Sequence, residues 1–178
     1  ALSVSQVASI TTEQLDALGT SQLLGFSSSQ VVGLTTAQLS AVSASDLASL
    51  SSAQFRSLLT GQVGGLTTEQ VAALVTDQLI AFSTGQIVAL GTDQIVALGS
   101  DQLASITTAA VLALTTAQVS VIQTEDIAAL ETRQVRAFSS IQLGALNTEQ
   151  LAALTTAQFL GFSTGQVASL SSAQVSTY

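Results

Sequence analysis

The chain has 178 residues, a formal net charge of −8 and three basic residues in total. Nucleic acids and anionic membranes are bound through clusters of Lys and Arg, so we expect neither as a partner. Because His and Cys are absent, zinc sites, disulfides and the usual nucleophilic triads are excluded. We therefore expect no enzyme activity and no cofactor.

An eight-residue repeat accounts for nearly every position. From Leu2 to Thr177 the chain divides into 22 consecutive octads without insertion or deletion, and LTTEQVAA at 66–73 is representative. Position one is Leu, Ile, Val or Phe in every octad, and position six is Val, Leu, Ile or Phe. We expect these two positions to form the core. Positions two, four and seven vary most and should face water.

Two further positions are restricted to a few residue types. Position eight is small except at Val121 and Thr177, which would allow two backbones to approach closely. Position five is Gln except at Asp46, Ala110 and Asp126. No apolar run approaches the ~18 residues of a membrane span, so we expect no membrane insertion.

The spacing of the apolar positions predicts short helices. Position six and the next position one are three residues apart, which places them on one face of a helix. In one long helix, eight residues at about 100° each would leave roughly 80° of drift per repeat, and no partner could cover the stripe. The sequence therefore predicts an all-α solenoid, or superhelix, with one helix of one to two turns per octad. A β-solenoid is the alternative, because Val, Ile and Thr are abundant.

The start of each helix has two possible registers. Thr67 at position two and Gln70 at position five fit the S/T-x-x-Q capping box. In the other register the hydroxyl at position three, such as Thr92, caps the helix, and Gly91 at position two forms a left-handed C-cap. The sequence does not choose between these registers.

In chain order, the first octad is degenerate at Val4, and then a longer pattern appears. Phe26, Phe82 and Phe138 are 56 residues, or seven octads, apart, and Phe162 follows Phe138 after only 24. Duplication of multi-octad blocks explains both spacings better than a superhelical turn of seven octads.

Position seven becomes apolar near these phenylalanines. One interpretation is a deeper core beside each ring, and Leu112 is a further case. The other is a surface for lateral association with another copy or a partner protein. The candidate residues for this lateral-contact patch are Leu24, Phe26, Val32, Ile80, Phe82, Val88, Val96, Leu160 and Phe162.

Most acidic residues stand alone at position four, where we expect first-turn carboxylates favoured by the helix dipole. No calcium-binding loop motif is present, so we expect no metal site. These position-four acids are Glu13, Glu69, Asp77, Asp93, Asp101, Glu125 and Glu149.

No composition shift or linker interrupts the octads, so we expect residues 1–178 to form one continuous array. Both ends look like cuts through the repeat, because the first and last octads lack the polar faces that normally cap a solenoid. We therefore expect this array to be part of a longer one.

The octads at 114–121 and 154–161, LTTAQVSV and LTTAQFLG, resemble the tandem octapeptide regions of very large bacterial surface or secreted proteins of adhesin or haemagglutinin type. This resemblance implies an extracellular or cell-surface stalk, spacer or fibre. Its expected partners are other copies of itself, through lateral or end-to-end assembly, or other surface proteins. The alternative is a repeat binding module that uses one solenoid face for a protein, a glycan, a surface or ice.

Overall fold

A computed structural model describes residues 2–176, which fold into 22 short α-helices with no β-strand among them. Thr177, the last position eight, lies outside the described residues. The helices are α1 Val4–Ala8, α2 Thr12–Asp16, α3 Thr20–Leu24, α4 Ser28–Val32, α5 Thr36–Ala41, α6 Ala44–Ala48, α7 Ser52–Ser57, α8 Thr60–Gly64, α9 Thr68–Ala72, α10 Thr76–Ala81, α11 Thr84–Ala89, α12 Thr92–Ala97, α13 Ser100–Ser105, α14 Thr108–Ala113, α15 Thr116–Ser120, α16 Thr124–Ala129, α17 Thr132–Val135, α18 Ser140–Ala145, α19 Thr148–Ala152, α20 Thr156–Phe159, α21 Thr164–Ala168 and α22 Ser172–Val175.

The helices form two compact units, one that ends at Leu90 and one that begins at Gly91. In the N-terminal unit (α1 to α11), α4 packs on α7 and α7 packs on α10. In the C-terminal unit (α12 to α22), α13 packs on α16 and α16 packs on α19. Each unit is therefore an α-solenoid in which a helix contacts the third helix along the chain. This confirms the all-α prediction, and the β-solenoid alternative is wrong for the described residues.

Each helix begins at position three, with position two as its N-cap. In α9 the backbone N–H of Gln70 donates to Oγ1 of Thr67 at 3.1 Å, and the N–H of Thr67 donates to Oε1 of Gln70 at 2.9 Å. Two N–H groups that the helix leaves unpaired are satisfied in this way. Where position two lacks a hydroxyl, as at Val75, its N–H still donates to the glutamine of the octad, Gln78, at 3.0 Å. The position-two register is therefore the correct one.

The chain turns between helices without left-handed residues. Phe82 ends α10 with extended backbone angles, φ −63° and ψ 136°, and its N–H donates to the carbonyl of Leu79 at 3.1 Å. Gly91 is also extended, with φ −72° and ψ 163°, and it is the N-cap of α12. No residue in the described part has a positive φ. The predicted left-handed C-cap at Gly91 is therefore wrong, because two extended residues redirect the chain at each octad.

Positions one and six interlock between successive turns of the solenoid. In the N-terminal unit the ring of Phe55, at position six, lies 5.9 Å from the ring of Phe82, a position-one residue 27 positions later. Position eight allows this approach, because a Cβ added to Gly33 would lie 2.7 Å from Cγ1 of Val4. Small residues at position eight thus bring the turns close enough for the apolar side chains to meet.

The prediction that all position-one and position-six residues lie in the core is wrong at the two ends. Position-one side chains are incompletely buried at the start, and mainly position-six side chains are incompletely buried at the finish. A position-one residue faces the preceding turn and a position-six residue faces the following one, so both need a neighbouring turn. The incompletely buried residues are Leu2, Ile10, Leu18, Phe26, Phe159, Phe162, Val167 and Val175.

Candidate functional site

Position-five glutamines connect each turn to the one before it. Nε2 of Gln70 donates to the carbonyl oxygens of Leu39 and Val42, both at 2.7 Å and located 31 and 28 residues earlier. In the C-terminal unit, Nε2 of Gln150 donates to the carbonyl of Ile122 at 2.6 Å, again 28 residues earlier. Successive turns are thus related by 28 residues, or three and a half octads. We call this row of side chains the glutamine ladder.

The ladder uses both ends of each amide. Oε1 caps the helix of the same octad, and Nε2 bonds the preceding turn, so the side chain of Gln70 is only 2% exposed. A buried polar group destabilises a fold unless it is hydrogen-bonded, and each such bond contributes about 0.5–1.5 kcal/mol net. No buried side-chain nitrogen or oxygen of the described residues lacks a partner.

The sequence analysis assigned these glutamines to capping and missed their second role. One signal was present in the composition of position five. Glu serves equally well in a capping box, yet position five is Gln in 19 octads and Glu in none. Only Gln has an amide N–H to donate, so this exclusive use of Gln indicates an acceptor outside the octad.

Two octads replace the glutamine by aspartate and reverse the direction of the hydrogen bond. Oγ of Ser100 donates to Oδ1 of Asp126 at 2.6 Å. Oγ1 of Thr20 donates in the same way to Oδ1 of Asp46. In both pairs the hydroxyl lies at position three, 26 residues before the aspartate. Beside Asp126, Gln123 supplies an amide that donates to the carbonyl of Val96 at 3.0 Å.

The two carboxyl groups have opposite pKa shifts. Burial raises the pKa of Asp126, which is 3% exposed; the hydrogen bond from Ser100 lowers this pKa, and the charge of Glu125 raises it. Hydrogen bonds from Ser43 and then Thr20 lower the pKa of Asp46 below its ordinary value. The ladder thus contains one carboxyl that disfavours its charge and one that favours it.

The residues predicted for lateral contact divide between the two units. Leu24, Ile80 and Val88 are exposed in the N-terminal unit, where Phe26 and Val32 are partly exposed. These position-seven side chains therefore reach solvent and do not deepen the core.

The remaining members of the predicted patch are less uniform. In the C-terminal unit Val96 and Leu160 are exposed, and Phe162 is partly exposed. Phe82, by contrast, lies in the core of the N-terminal unit against Phe55 and is only 6% exposed. Exposed apolar residues outside the predicted patch are Leu59 and Val75 at position two, Leu112 at position seven and Ile141 at position four.

Surface grooves in the two units hold no recognisable chemical site. A groove of about 640 Å³ in the N-terminal unit is lined by Arg56, Leu59 and Thr60, among other residues. One of about 540 Å³ in the C-terminal unit includes Glu131 and Arg133, which form an ion pair at 2.6 Å. Both partners of this pair are largely exposed, so it contributes little to stability.

The position-four acids lie in the first turns of their helices, as predicted. Within residues 2–176, no three potential metal ligands of the His, Cys, Asp or Glu type come together. None of the described helices has the length and hydropathy needed to cross a bilayer.

Helices of one octad each, stacked every 28 residues and joined by the glutamine ladder, define the class of these units as tandem-repeat α-solenoids. The ALTTAQ repeat family matches residues 7–44, 44–76, 71–108 and 119–156. These matches cover more than half of the chain, which therefore belongs to the ALTTAQ repeat family. The comparison with curated proteins gave no match.

Proposed function

We propose that the chain is the structural repeat segment of an exported bacterial surface or matrix protein, where it serves as a stalk, spacer or fibre without catalysis. The glutamine ladder is the observation that carries this proposal. Within each unit, every ladder bond joins one turn to the turn directly before it, at offsets of 28 to 31 residues. Such an array can be lengthened by adding octads without any new type of contact.

The conserved role of each octad position in the structure supports a mechanical task. Positions one, five, six and eight make the contacts between turns, as Phe55, Gln70 and Gly33 illustrate. Positions two, four and seven face solvent and carry small or singly charged residues at most octads. No side chains of complementary chemistry converge there to form a ligand site. The repeated contacts, rather than a unique surface, use most of the sequence.

The mechanical part of the proposal is tested by changing the octad number. Duplicating residues 34–89 adds seven octads, which corresponds to two turns. Packed helices lie about 8–10 Å apart, so two turns should lengthen the particle by about 16–20 Å. The maximum dimension from small-angle X-ray scattering measures this change. An unchanged maximum dimension would contradict a spacer function.

The location is a separate part of the proposal and rests on the resemblance to surface and secreted repeat proteins. Antibodies raised against residues 1–178 should label intact cells of the organism that encodes the chain. Protease added outside the cells should remove this labelling. Labelling that requires permeabilised cells would reject export while leaving the spacer function standing.

A repeat binding module is the second candidate function, and the exposed apolar side chains favour it. Leu160, at position seven, is 77% exposed, and Ile141, at position four, is 76% exposed. Single exposed apolar residues are common on protein surfaces, so this observation is the weaker of the two. The ice-binding version is tested by thermal hysteresis, whose absence would reject it.

A further inference from the structure

We propose that residues 1–178 assemble head to tail, with the start of the N-terminal unit of one copy packing on the finish of the C-terminal unit of another. We call these surfaces the N-face, formed by α1 to α4, and the C-face, formed by α20 to α22. The inference goes beyond the spacer function, because it assigns a binding surface and a partner: a second copy of the chain.

Three side-chain amides on the N-face have no acceptor among the described residues. Oε1 of Gln6, Gln14 and Gln22 accepts the N–H of the N-cap in its own octad, as elsewhere in the array. Their Nε2 atoms have no preceding turn on which to donate. The ladder starts only at Gln30, whose Nε2 donates to the carbonyl of Leu2 at 2.7 Å.

The C-face offers the same number of acceptors at the same spacing. Ladder bonds end on position-one carbonyls 28 residues earlier, and the last described bond of this type runs from Gln174 to Leu146. The position-one carbonyls of Leu154, Phe162 and Leu170 follow at intervals of eight residues and receive no ladder bond within the described residues. Three donors spaced by eight residues therefore match three acceptors with that spacing.

The apolar side chains of the two faces also correspond. Inside the N-terminal unit, position six meets a position-one residue 27 positions later, as Phe55 meets Phe82. When the ladder register continues from one copy into the next, this rule pairs Phe159 with Ile10, Val167 with Leu18 and Val175 with Phe26. All six of these side chains are incompletely buried in the single chain. The same contact that buries them would pair the three amides.

Charge does not oppose the contact at the C-face, because residues 154–176 contain no charged side chain. Contact between two different faces does not close on itself, so it produces open linear chains rather than a fixed dimer. Any octads that flank these residues in a longer polypeptide would use the same two faces, so the experiment uses residues 1–178 as a separate polypeptide.

The experiment measures molar mass by sedimentation equilibrium over a range of protein concentrations. The wild-type chain should give masses that rise in multiples of 18.0 kDa. The N-face variant Gln14→Glu/Gln22→Glu keeps the cap acceptors but places carboxylates opposite carbonyl oxygens. The C-face variant Val167→Glu places a charge in the apolar contact. Each variant should raise the concentration for half-assembly at least about tenfold, because an uncompensated charge at an interface weakens binding by this factor or more.

Two matched controls carry the same added charge on the side wall. Ser21→Glu/Ser29→Glu adds two acids at exposed position four of the first turns, and Leu160→Glu adds one at exposed position seven of α20. Both should assemble like the wild type, and circular dichroism should show every variant folded. An equimolar mixture of the N-face and C-face variants retains one functional face on each partner. It should therefore form a dimer of twice 18.0 kDa that does not grow further.

A monomeric wild type at all concentrations would overturn the proposal. Loss of assembly in the side-wall controls would overturn it as well, since the contact would then be lateral. A mixture that stays monomeric, while the wild type assembles, would show that the two faces do not bind each other.

Discussion

Asp46 in the N-terminal unit and Asp126 in the C-terminal unit occupy the same octad position, and each accepts a hydroxyl 26 residues earlier. Their pKa shifts are nevertheless opposite. Asp46 receives a second hydrogen bond from its N-cap, Ser43, and is partly exposed. Asp126 has the N-cap Gln123, which makes no side-chain cap bond, and is buried beside Glu125.

This comparison shows how the ladder tolerates a replacement. A carboxylate cannot donate to the carbonyls of the preceding turn, so the octad must obtain a donor from position three of that turn. Thr20 and Ser100 provide these donors. How favourable the result is then depends on burial and on a second donor, and both differ between the two units.

The largest effect is expected where aspartate has no such donor. Gln70→Asp would place a carboxylate against the carbonyls of Leu39 and Val42, and the residue 26 positions earlier is Ala44. An uncompensated buried charge should lower the free energy of unfolding by about 3–5 kcal/mol. Urea-induced unfolding followed by circular dichroism measures this loss.

A second substitution sharpens this prediction. Ala44→Ser restores a hydroxyl at position three and should recover about 1.5–3 kcal/mol in the Gln70→Asp background, as expected for a hydrogen bond to a charged group. In the wild-type background it should have little effect. A double-mutant cycle that shows no coupling between positions 44 and 70 would reject the proposed role of the hydroxyl.

Removing the natural donors should have a smaller and unequal effect. Ser100→Ala takes away the side-chain hydroxyl that donates to buried Asp126, and should cost about 1–3 kcal/mol. Thr20→Val removes the corresponding donor of Asp46, which is more exposed and keeps Ser43, so the cost should stay within about 0.5 kcal/mol. Equal losses in urea unfolding would contradict the difference in burial.

The N-cap of the Asp46 octad should contribute less still. Ser43→Ala removes the hydroxyl that accepts the N–H of Asp46 and donates to its carboxylate, at a cost of about 0.5–2 kcal/mol. It should also raise the pKa of Asp46 more than Thr20→Val does, because the bond from Ser43 is the larger cause of the lowered value. NMR titration of the Asp46 carboxyl compares the two variants.

The smallest effect is a change in how stability depends on pH, with opposite signs for the two carboxyls. The lowered pKa of Asp46 stabilises the fold above the ordinary value of 3.8, and this contribution is lost as pH falls through the folded-state value. The raised pKa of Asp126 stabilises the fold below 3.8, and this contribution is lost as pH rises through the folded-state value.

The two asparagine variants separate these contributions. Relative to the wild type, Asp46→Asn should become less destabilising as pH falls from about 5 to 3, and Asp126→Asn should become more destabilising over that range. Unfolding free energies at several pH values measure both trends. A common trend for the two variants would contradict the opposite pKa shifts.

The predictions from sequence succeeded wherever the interaction lies within one octad. The spacing of positions six and one predicted the helices, and Thr67 with Gln70 predicted the N-cap in one of the two registers considered. Gly91 was misassigned in the other register, because a glycine is also compatible with an extended N-cap. Among the apolar residues singled out by composition, Leu160 proved exposed and Phe82 buried, since their fates depend on a turn that is distant in sequence.

The longer spacings were harder to interpret. The 56-residue intervals between Phe26, Phe82 and Phe138 equal two ladder offsets of 28 residues, so a turn of seven octads does not occur in the described units. The offset is not a whole number of octads, and no periodicity in the sequence alone shows it. The ladder made it visible through the bonds from Gln54 to Phe26 and from Gln166 to Phe138.

By itself, the sequence determined the octad, the short helix, its cap and the two apolar positions, because these depend on backbone geometry and on hydrogen bonds that span three or four residues. The tertiary structure alone decided the 28-residue offset between turns, the second acceptor of each glutamine, and the contrast between Asp46 and Asp126. These features depend on groups that meet across about 28 residues of chain, and their energies are set by burial. Burial is a property of the stacked turns that no single octad possesses.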